Sequence, residues 1–120
     1  MRDLVKAMKA LSDETRLRIL NILLKRECCV CEVMQALDIS QTRASRNLGI
    51  IYDAGFLKVR RDGTWVLYSV DTETANRYAG SLTELLKDLC AGDDILSKDK
   101  ERLKSAVRVG PGCRQKSPSF

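Results

Sequence analysis

Three of the five cysteines in this 120-residue chain lie within four residues, in the run Cys28-Cys29-Val30-Cys31. Thiols so close together form either a sulfur site for a soft ion or a group of small side chains that fill the core. The chain has no histidine, which excludes histidine-bearing zinc sites and excludes Ser-His and Cys-His catalysis. Any metal ion bound here would therefore be held chiefly by sulfur. An odd number of cysteines also favours reduced thiols over a secreted disulfide scaffold.

A helix, a three-residue turn and a second helix are predicted to follow the cluster directly. Apolar residues recur at helical spacing first in residues 30–37 and then in residues 44–51, so each helix would bury one stripe. Asp38-Ile39-Ser40 interrupts the first pattern. The Ser40 hydroxyl is the expected N-cap of the second helix, which would end near Gly55. The cysteine cluster would then lie at the start of the first helix of the pair.

The outward face of the second helix is predicted to carry hydroxyls, amides and guanidiniums. Such groups suit base edges and phosphates, whereas the alternative is an ordinary solvated helix face. From Ser40 to Arg61 five Lys or Arg residues stand against Asp53 alone, in a chain of net charge +5, so a polyanion is the natural partner. The residues predicted to contact double-stranded DNA from this helix are Ser40, Gln41, Thr42, Arg43, Ser45, Arg46 and Asn47.

A two-stranded hairpin is predicted after the helix pair. Residues 57–60 alternate apolar and basic side chains, Asp62-Gly63 is a turn signal, and apolar residues alternate at Val66, Tyr68 and Val70 on the return. The basic residues would gather near the tip, where such a wing lies against a DNA backbone or minor groove. The DNA contacts predicted in the wing are Arg60, Arg61 and Gly63.

Two helices are predicted before the cluster and one long helix after the hairpin. Residues 4–11 form a short amphipathic segment, and Ser12 is the expected N-cap of a core helix that runs to about Lys25. From Ala75 to Leu89 apolar residues keep helical spacing for four turns. Such a band would be exposed unless a partner covered it, so a homodimer is predicted. Its expected contacts are Leu4, Met8, Tyr78, Leu82, Leu85, Leu86 and Leu89.

These patterns predict a mainly α fold with a two-stranded β wing, in the order of four helices, two strands, a fifth helix and a candidate short sixth helix. Residues 1–92 are the predicted winged helix-turn-helix DNA-binding and dimerisation domain, residues 93–109 the short C-terminal helix, and residues 110–120 a flexible tail. No stretch approaches the roughly 20 apolar residues of a membrane span, and no signal-peptide core follows Met1. A cytoplasmic protein without a membrane partner is expected.

Four stretches of the chain resemble motifs of one known family. They are Ser12-Asp13-Glu14-Thr15-Arg16-Leu17-Arg18-Ile19-Leu20, Cys29-Val30-Cys31-Glu32-Val33, Ser40-Gln41 with Ser45-Arg46-Asn47-Leu48, and Asp62-Gly63-Thr64-Trp65-Val66-Leu67-Tyr68. Their order and spacing resemble those of the ArsR/SmtB family of winged-helix repressors, over roughly residues 4–89. The resemblance implies a dimeric repressor that sits on an operator and leaves it when a toxic metal or metalloid ion binds, which derepresses a resistance operon.

Within that family, Cys-Val-Cys followed by an acid resembles the site of the arsenite and antimonite sensors, and also part of the cadmium and lead site. The resemblance implies As(III) or Sb(III) as the inducer, with Cd(II) or Pb(II) as alternatives, and no organic cofactor. Arsenical sensors often carry a third cysteine three residues after the pair, where this chain has Met34, but Cys28 precedes the pair. The predicted ligands, three thiolates for a pyramidal ion, are Cys28, Cys29 and Cys31.

Three sulfurs cannot converge from a regular helix at these positions. At about 100° per residue, Cys28 and Cys31 would lie roughly 60° apart, but Cys29 and Cys31 about 160° apart. Either the helix begins after the cysteines or binding unwinds it. A helix N-terminus is also expected to lower the pKa of the thiols and to favour thiolate at neutral pH.

The two remaining cysteines are given lesser roles. Cys90 is expected in the dimer core, and Cys113 is expected to be a spare flexible thiol, with auxiliary ion binding as its alternative. One rival function is a redox switch in which Cys29 or Cys31 pairs with Cys90 or Cys113. The other is a thiol enzyme, for which the chain lacks a histidine base and a Gly-rich cofactor loop.

Overall fold

The structure is a computed structural model that describes residues 1–73 and 76–109. This part of the chain contains six helices and one two-stranded antiparallel sheet. The elements are α1 (Arg2–Leu11), α2 (Glu14–Leu23), α3 (Val30–Leu37), α4 (Gln41–Asp53), β1 (Leu57–Asp62), β2 (Trp65–Val70), α5 (Arg77–Leu89) and α6 (Asp94–Ser105). Their order confirms the predicted mainly α fold with a β wing. The predicted tail, residues 110–120 with Cys113, lies outside the described residues.

Capping side chains set the helix starts. The Ser40 hydroxyl accepts a hydrogen bond from the backbone N–H of Arg43 at 3.2 Å, which confirms Ser40 as the N-cap of α4. The N-cap of α2 is Asp13, whose carboxylate accepts a backbone N–H of the first turn at 3.1 Å. The prediction of Ser12 was wrong, because the Ser12 hydroxyl closes α1 instead by donating to the Lys9 carbonyl at 2.9 Å. The two neighbours have equally good capping groups, so the sequence did not separate them.

Strands β1 and β2 form the wing. Leu57 lies opposite Val70 at its base and Asp62 lies opposite Trp65 at its tip. Gly63 turns the chain with a φ of 63°, a conformation that side chains other than glycine rarely adopt. The predicted hairpin and its turn are therefore confirmed.

In β2 the buried face is not the predicted apolar face of Val66, Tyr68 and Val70. Leu67 is fully buried, whereas Val66, Tyr68 and Val70 are half-buried. Strand β2 packs against α2, and this packing determines which side chain of the strand is buried. The predicted apolar face of β2 is corrected in this respect.

Helix α6 lies against α3 and α2, and its residues Leu96 and Leu103 are buried. A buried carboxylate holds it in place, because Asp99 is 0% exposed and accepts hydrogen bonds from Arg18 Nε at 2.9 Å and Nη2 at 2.8 Å. Arg102 donates to the same carboxylate at 2.7 Å. The contact with Arg18 therefore holds α6 against α2.

An apolar band remains uncovered on α1 and α5, which pack against each other. Leu85 is 51% exposed and Leu89 is 68% exposed, while Met8 on α1 is 56% exposed. Leu4, Tyr78, Leu82 and Leu86 are half-buried beside them. Ala75, the predicted first residue of the stripe, lies outside the described residues. The expected exposed apolar surface is therefore present on the single chain.

Candidate functional site

Cys29 and Cys31 bring their sulfur atoms together at the start of α3. Their Sγ atoms lie 3.1 Å apart, and each residue is 1% exposed. Cys29 is the N-cap residue, and its sulfur accepts the backbone N–H of Glu32 in a capping box. The Glu32 carboxylate completes the box by accepting the Cys29 N–H at 3.0 Å. Because α3 begins at Val30, Cys29 lies outside the regular helix, which removes the angular conflict expected between the two sulfurs.

Cys28 stands apart from this sulfur pair. Its backbone N–H donates to the Tyr68 carbonyl at 3.0 Å and its carbonyl accepts from Tyr68 at 2.8 Å, which ties it to β2. The Cys28 thiol donates to the Arg26 carbonyl at 3.6 Å. In extended backbone consecutive side chains point to opposite sides, so Cys28 and Cys29 do not aim at one point. Within residues 1–73 and 76–109, no three His, Cys, Asp or Glu side chains are arranged to hold a metal ion.

A buried carboxylate lies next to the sulfur pair. Glu32 is 2% exposed; its Oε2 pairs with Arg26, and its Oε1 accepts from Arg108 Nε at 3.0 Å. Burial acts to raise the pKa of Glu32, but the Cys29 N–H and the two guanidiniums outweigh it and hold that pKa below its ordinary value. Both carboxylate oxygens are engaged, so Glu32 fixes the start of α3 instead of offering an oxygen to an ion.

Residues 106–109, here called the strap, follow α6 and lie beside the sulfur pair. Gln35 holds the strap through two hydrogen bonds, from its Nε2 to the Val107 carbonyl at 2.7 Å and from the Val107 N–H to its Oε1 at 3.1 Å. The Val109 N–H donates to Cys31 Sγ at 3.3 Å, and Trp65 Nε1 donates to the Val109 carbonyl at 3.4 Å. The strap therefore connects the sulfur pair to the tip of the wing.

Burial sets the acidity of the two cysteines before the helix. Burial raises the pKa of Cys28 to about 12, and the nearby Glu32 carboxylate acts in the same direction. Burial also raises the pKa of Cys29, although the backbone N–H groups of Glu32 and Cys31 act to lower it. The predicted lowering of the thiol pKa was wrong here, because the helix N-terminus lies in the core and exclusion of water outweighs its dipole.

The predicted DNA-contacting face of α4 is exposed at most of its positions. Ser40, Thr42, Arg43, Ser45 and Arg46 are exposed, and Gln41 is half-buried. Asn47 is 3% exposed; its Oδ1 accepts from Arg16 Nη1 at 3.0 Å, and its Nδ2 donates to the Arg43 carbonyl at 2.9 Å. The outward placement of Asn47 was wrong, because this side chain joins α4 to α2.

Two of the predicted DNA-contacting arginines have partners within the chain. Arg43 donates to the Thr15 hydroxyl at 2.6 Å, which rests its guanidinium against α2. Arg60 forms an ion pair with Glu27, and this hydrogen-bonded pair raises the pKa of Arg60 and lowers that of Glu27. Arg60 therefore braces the wing against the segment before the cysteines, while Arg61 and Gly63 are exposed near the tip.

Comparison with known proteins identifies the family. Residues 13–59 match the family model described as bacterial regulatory protein, arsR family. The arsenic resistance transcriptional regulator ArsR1 of Pseudomonas putida is 36% identical over 96 residues, which are 79% of this chain and 73% of that protein. The chain belongs to the ArsR family. The family consists of DNA-binding transcriptional regulators and not of enzymes, as the motifs predicted.

Other members extend the comparison of this ArsR-family chain. It is 42% identical over 72 residues to the cadmium resistance transcriptional regulatory protein CadC homolog of Staphylococcus aureus, and the match spans 59% of this chain and 60% of that protein. Its fold is similar to the homodimeric winged helix-turn-helix DNA-binding domain of Mb0332 from Mycobacterium bovis, with a TM-score of 0.63 and 27% identity. That match covers 78% of this chain and 82% of the other. The winged helix-turn-helix architecture is thereby confirmed.

Two arginines support the ArsR-family fold in ways that the sequence did not reveal. Arg16 donates to the Ala10 carbonyl at 2.6 Å in addition to its bond with Asn47, so it joins α1, α2 and α4. Arg18 binds Asp99 and also donates to the Leu37 carbonyl at 3.1 Å. No local pattern in the sequence points to partners so distant in the chain. Among residues 1–73 and 76–109, none of the helices combines the length and apolar character needed to cross a membrane.

Proposed function

We propose that this ArsR-family protein is a repressor that binds operator DNA as a homodimer and leaves it when As(III) or Sb(III) binds at Cys29 and Cys31. The observation that carries the proposal is the sulfur pair, 3.1 Å apart at the start of the helix that precedes α4. The similarity to a regulator of arsenic resistance supports this choice of ion.

The donor atoms beside the pair also favour a soft ion. Two sulfurs bound to one ion at about 2.3 Å lie roughly 3.5 Å apart. Cys31 is disulfide-bonded in this structure, so it binds an ion only after reduction. The observed separation of 3.1 Å between the two sulfurs then needs little change. The neighbouring Glu32 carboxylate is committed to Arg26, Arg108 and the Cys29 N–H. A site with sulfur donors and no available carboxylate suits As(III) and Sb(III).

Arsenite binding exchanges As–O bonds for As–S bonds. Each thiol sulfur forms a bond to arsenic, and its proton leaves with one hydroxide of As(OH)₃ as water. The two thiols of the pair and one As(OH)₃ thus give As(SR)₂(OH) and two waters, without oxidation, reduction or net proton release. A divalent ion displaces the thiol protons into solution instead, so its affinity depends on pH.

The DNA interface is assigned to the exposed face of α4 and to the wing tip. An exposed helix face with hydroxyl, amide and guanidinium groups can enter a major groove, while the wing contacts the backbone. In this assignment Arg46 on α4 contacts base edges and Arg61 on β1 contacts phosphate. Both side chains are exposed.

Arg46→Ala should change sequence preference by about 1–3 kcal/mol, because a guanidinium can bind a base edge in two places. Arg61→Ala should weaken binding almost equally on all duplexes and reduce the salt slope by about 1. Fluorescence anisotropy with a duplex selected by the protein from a random pool, and with a scrambled duplex, measures both effects. Lys104→Ala, an exposed cation on α6, is the control. Unchanged affinity in the Arg46→Ala, Arg61→Ala double variant would exclude this interface.

The homodimer is assigned to the apolar band on α1 and α5. A twofold axis through this band would present two copies of α4 to successive major grooves. The M. bovis domain of similar fold is homodimeric, which supports the assignment.

Leu89→Glu should yield a folded monomer. Leu89 is 68% exposed on the single chain, so the change leaves the protomer core intact while it places a carboxylate in a dry interface. Sedimentation velocity measures the mass, and circular dichroism checks the fold. Val59→Glu, at an apolar wing position that is 42% exposed, should remain dimeric. A stable Leu89→Glu dimer would place the interface elsewhere.

A titration of the wild-type protein tests the whole proposal. Reduced protein on its selected duplex, in a buffer with a non-thiol reductant, is titrated with arsenite while arsenic-thiolate absorbance and DNA anisotropy are read together. Absorbance should rise and anisotropy should fall over the same range of arsenite. Anisotropy that stays constant while the absorbance saturates would contradict the proposal.

Cd(II) or Pb(II) is the second candidate inducer, favoured by the 42% identity to a cadmium resistance regulator. The dependence of affinity on pH separates the candidates. Cd(II) and Pb(II) must release thiol protons, so their affinity should rise steeply with pH, whereas arsenite affinity should stay nearly constant near neutrality. Repeating the titration at three pH values with each ion makes the comparison.

A further inference from the structure

We infer that a cavity between α2, α5 and α6 binds a phosphate group through three lysines and one buried asparagine. These residues, all of which line the cavity, are Lys25, Lys87, Lys100 and Asn21. The cavity has a volume of about 280 Å³. That size is close to the lower end of the roughly 300–1,000 Å³ of small-ligand sites. None of these residues belongs to the sulfur pair or to the proposed DNA interface, so the inference goes beyond the proposed function and does not depend on it.

The charge of the lining favours an anion. Three lysines line the cavity, and in the part of the chain that the structure describes no Asp or Glu joins them there. Lys87 pairs with Glu84 at 3.0 Å, but both side chains are exposed, so an anion in the cavity can compete with this pair. A cleft lined by charges of one sign concentrates their field and attracts ions of the opposite sign.

Lys100 distinguishes the cavity from an ordinary basic surface. Lys25 follows the end of α2 and Lys87 lies in the last turn of α5, where a cation also balances the helix dipole. Lys100 lies in the middle of α6 and has no such role. It is half-buried, whereas every other lysine within residues 1–73 and 76–109 is exposed. A partly buried ammonium group gains from an anionic partner, which a ligand in the cavity would supply.

Asn21 provides an independent observation. It lies on α2, lines the cavity and is only 7% exposed. Its Nδ2 is buried and has no hydrogen-bond partner among the described residues. Buried polar groups nearly always have partners in folded proteins, because an unpaired donor is costly. An oxygen atom of a ligand in the cavity would supply the missing acceptor.

The groups around the cavity suit a phosphate group. A phosphate group carries a charge of about −1.5 to −2 near neutral pH and has three strong acceptor oxygens. Lysine binds phosphate as a point charge, and the Ser97 hydroxyl is a further donor in the lining. The side chains of Leu24 and Leu96 provide an apolar part of the wall. The ligand is therefore free phosphate or a small phosphate ester, whose apolar body would contact these leucines.

Calorimetric titration of the full-length reduced protein with inorganic phosphate tests the site, with chloride at equal ionic strength as the reference. Lys100→Gln should weaken phosphate binding by roughly 10- to 100-fold, the contribution of a hydrogen bond to a charged group. Lys98→Gln removes the same charge from an exposed position on the same helix and should bind phosphate as the wild type does. Equal weakening in both variants would indicate general attraction to a basic surface and would overturn the inference.

Asn21→Leu removes the unpartnered donor at similar volume. It should weaken phosphate binding by about 10-fold, while Tm without phosphate stays unchanged or rises, because an unsatisfied buried group is lost. In ¹H–¹⁵N NMR spectra the Asn21 side-chain amide, assigned by its absence in this variant, should shift when phosphate is added to the wild type. The same amide should not shift in Lys100→Gln. Phosphate binding that leaves this amide unchanged in the wild type would place the anion elsewhere.

Phenyl phosphate separates the two sources of the phosphate group. Tighter binding of phenyl phosphate than of inorganic phosphate would identify an ester as the ligand, and equal binding would identify free phosphate. If the wild type binds neither compound beyond the chloride reference, the inference fails. The proposed function would be unaffected by that failure, since release from DNA by arsenite is measured in phosphate-free buffer and involves other residues.

Discussion

Cys29→Ser and Cys31→Ser should each keep DNA affinity while losing release by arsenite. Serine is a better N-cap than cysteine, so the capping box at Cys29 should survive the change and α3 should still begin at Val30. A serine at position 31 can still accept the Val109 N–H, which now reaches the sulfur at 3.3 Å. Each variant therefore removes one soft donor while it preserves the local hydrogen bonds.

The loss of one sulfur should raise the arsenite concentration needed for half-release by at least about 100-fold, since As(III) does not bind a serine hydroxyl strongly. Anisotropy on the selected duplex measures release, and a binding curve without arsenite checks DNA affinity. Cys90→Ser, at the far end of α5, is the matched control and should respond as the wild type does. Release of the Cys29→Ser, Cys31→Ser double variant at wild-type arsenite concentrations would place the sensor elsewhere.

Asp99→Ala should destabilise the protein by about 3–5 kcal/mol, because it leaves a largely buried guanidinium without its partner. Asp99 is 0% exposed, and the Arg18 side chain that it binds is only 16% exposed. Asp99 raises the pKa of Arg18 through their hydrogen bond. Without Asp99 the guanidinium still stays charged, because arginine is not deprotonated in proteins. The second partner, Arg102, would lose its carboxylate contact as well.

Urea denaturation followed by circular dichroism measures this loss, and the same loss should lower Tm by roughly 10–30 °C. Glu101→Ala is the control, since it breaks an exposed pair with Lys104 on the same helix and should cost less than about 1 kcal/mol. Equal denaturation midpoints for Asp99→Ala and wild type would show that the buried pair does not hold α6.

Local signals in the sequence predicted most of the fold. Features that depend on neighbours within a few residues can be predicted from the sequence alone. They include the N-cap at Ser40, the turn at Gly63 and the apolar stripes. Asn47 shows where polarity misled the prediction. Ala44, Asn47, Leu48 and Ile51 follow the i, i+3, i+4, i+7 spacing of one buried face, and only the polar character of Asn47 suggested that it points outward.

Contacts between distant segments could not be predicted. Arg18 and Asp99 are 81 residues apart in the chain, and Val109 reaches Cys31 across 78 residues. No periodicity links such positions. The pKa of Cys29 was mispredicted for a related reason. The burial that raises this pKa comes from several elements that pack around the start of α3. The helix dipole, which was expected to lower the pKa, depends on α3 alone.

The β-bridge between Cys28 and Tyr68 joins the wing to the residue that precedes the sulfur pair, so a small rotation at the bridge is amplified at the wing tip. Tyr68 lies three residues from Trp65 at the tip, which corresponds to a lever arm of about 10 Å. A rotation of about 10° at the bridge, caused by movement of Cys29 next to it, would displace the tip by about 2 Å at that strand rise. In the proposed DNA interface, Arg61 would then move away from its phosphate by more than a hydrogen bond tolerates, with α4 still in place. Ion binding at the sulfurs would then weaken DNA binding through amplified movement of the hairpin alone.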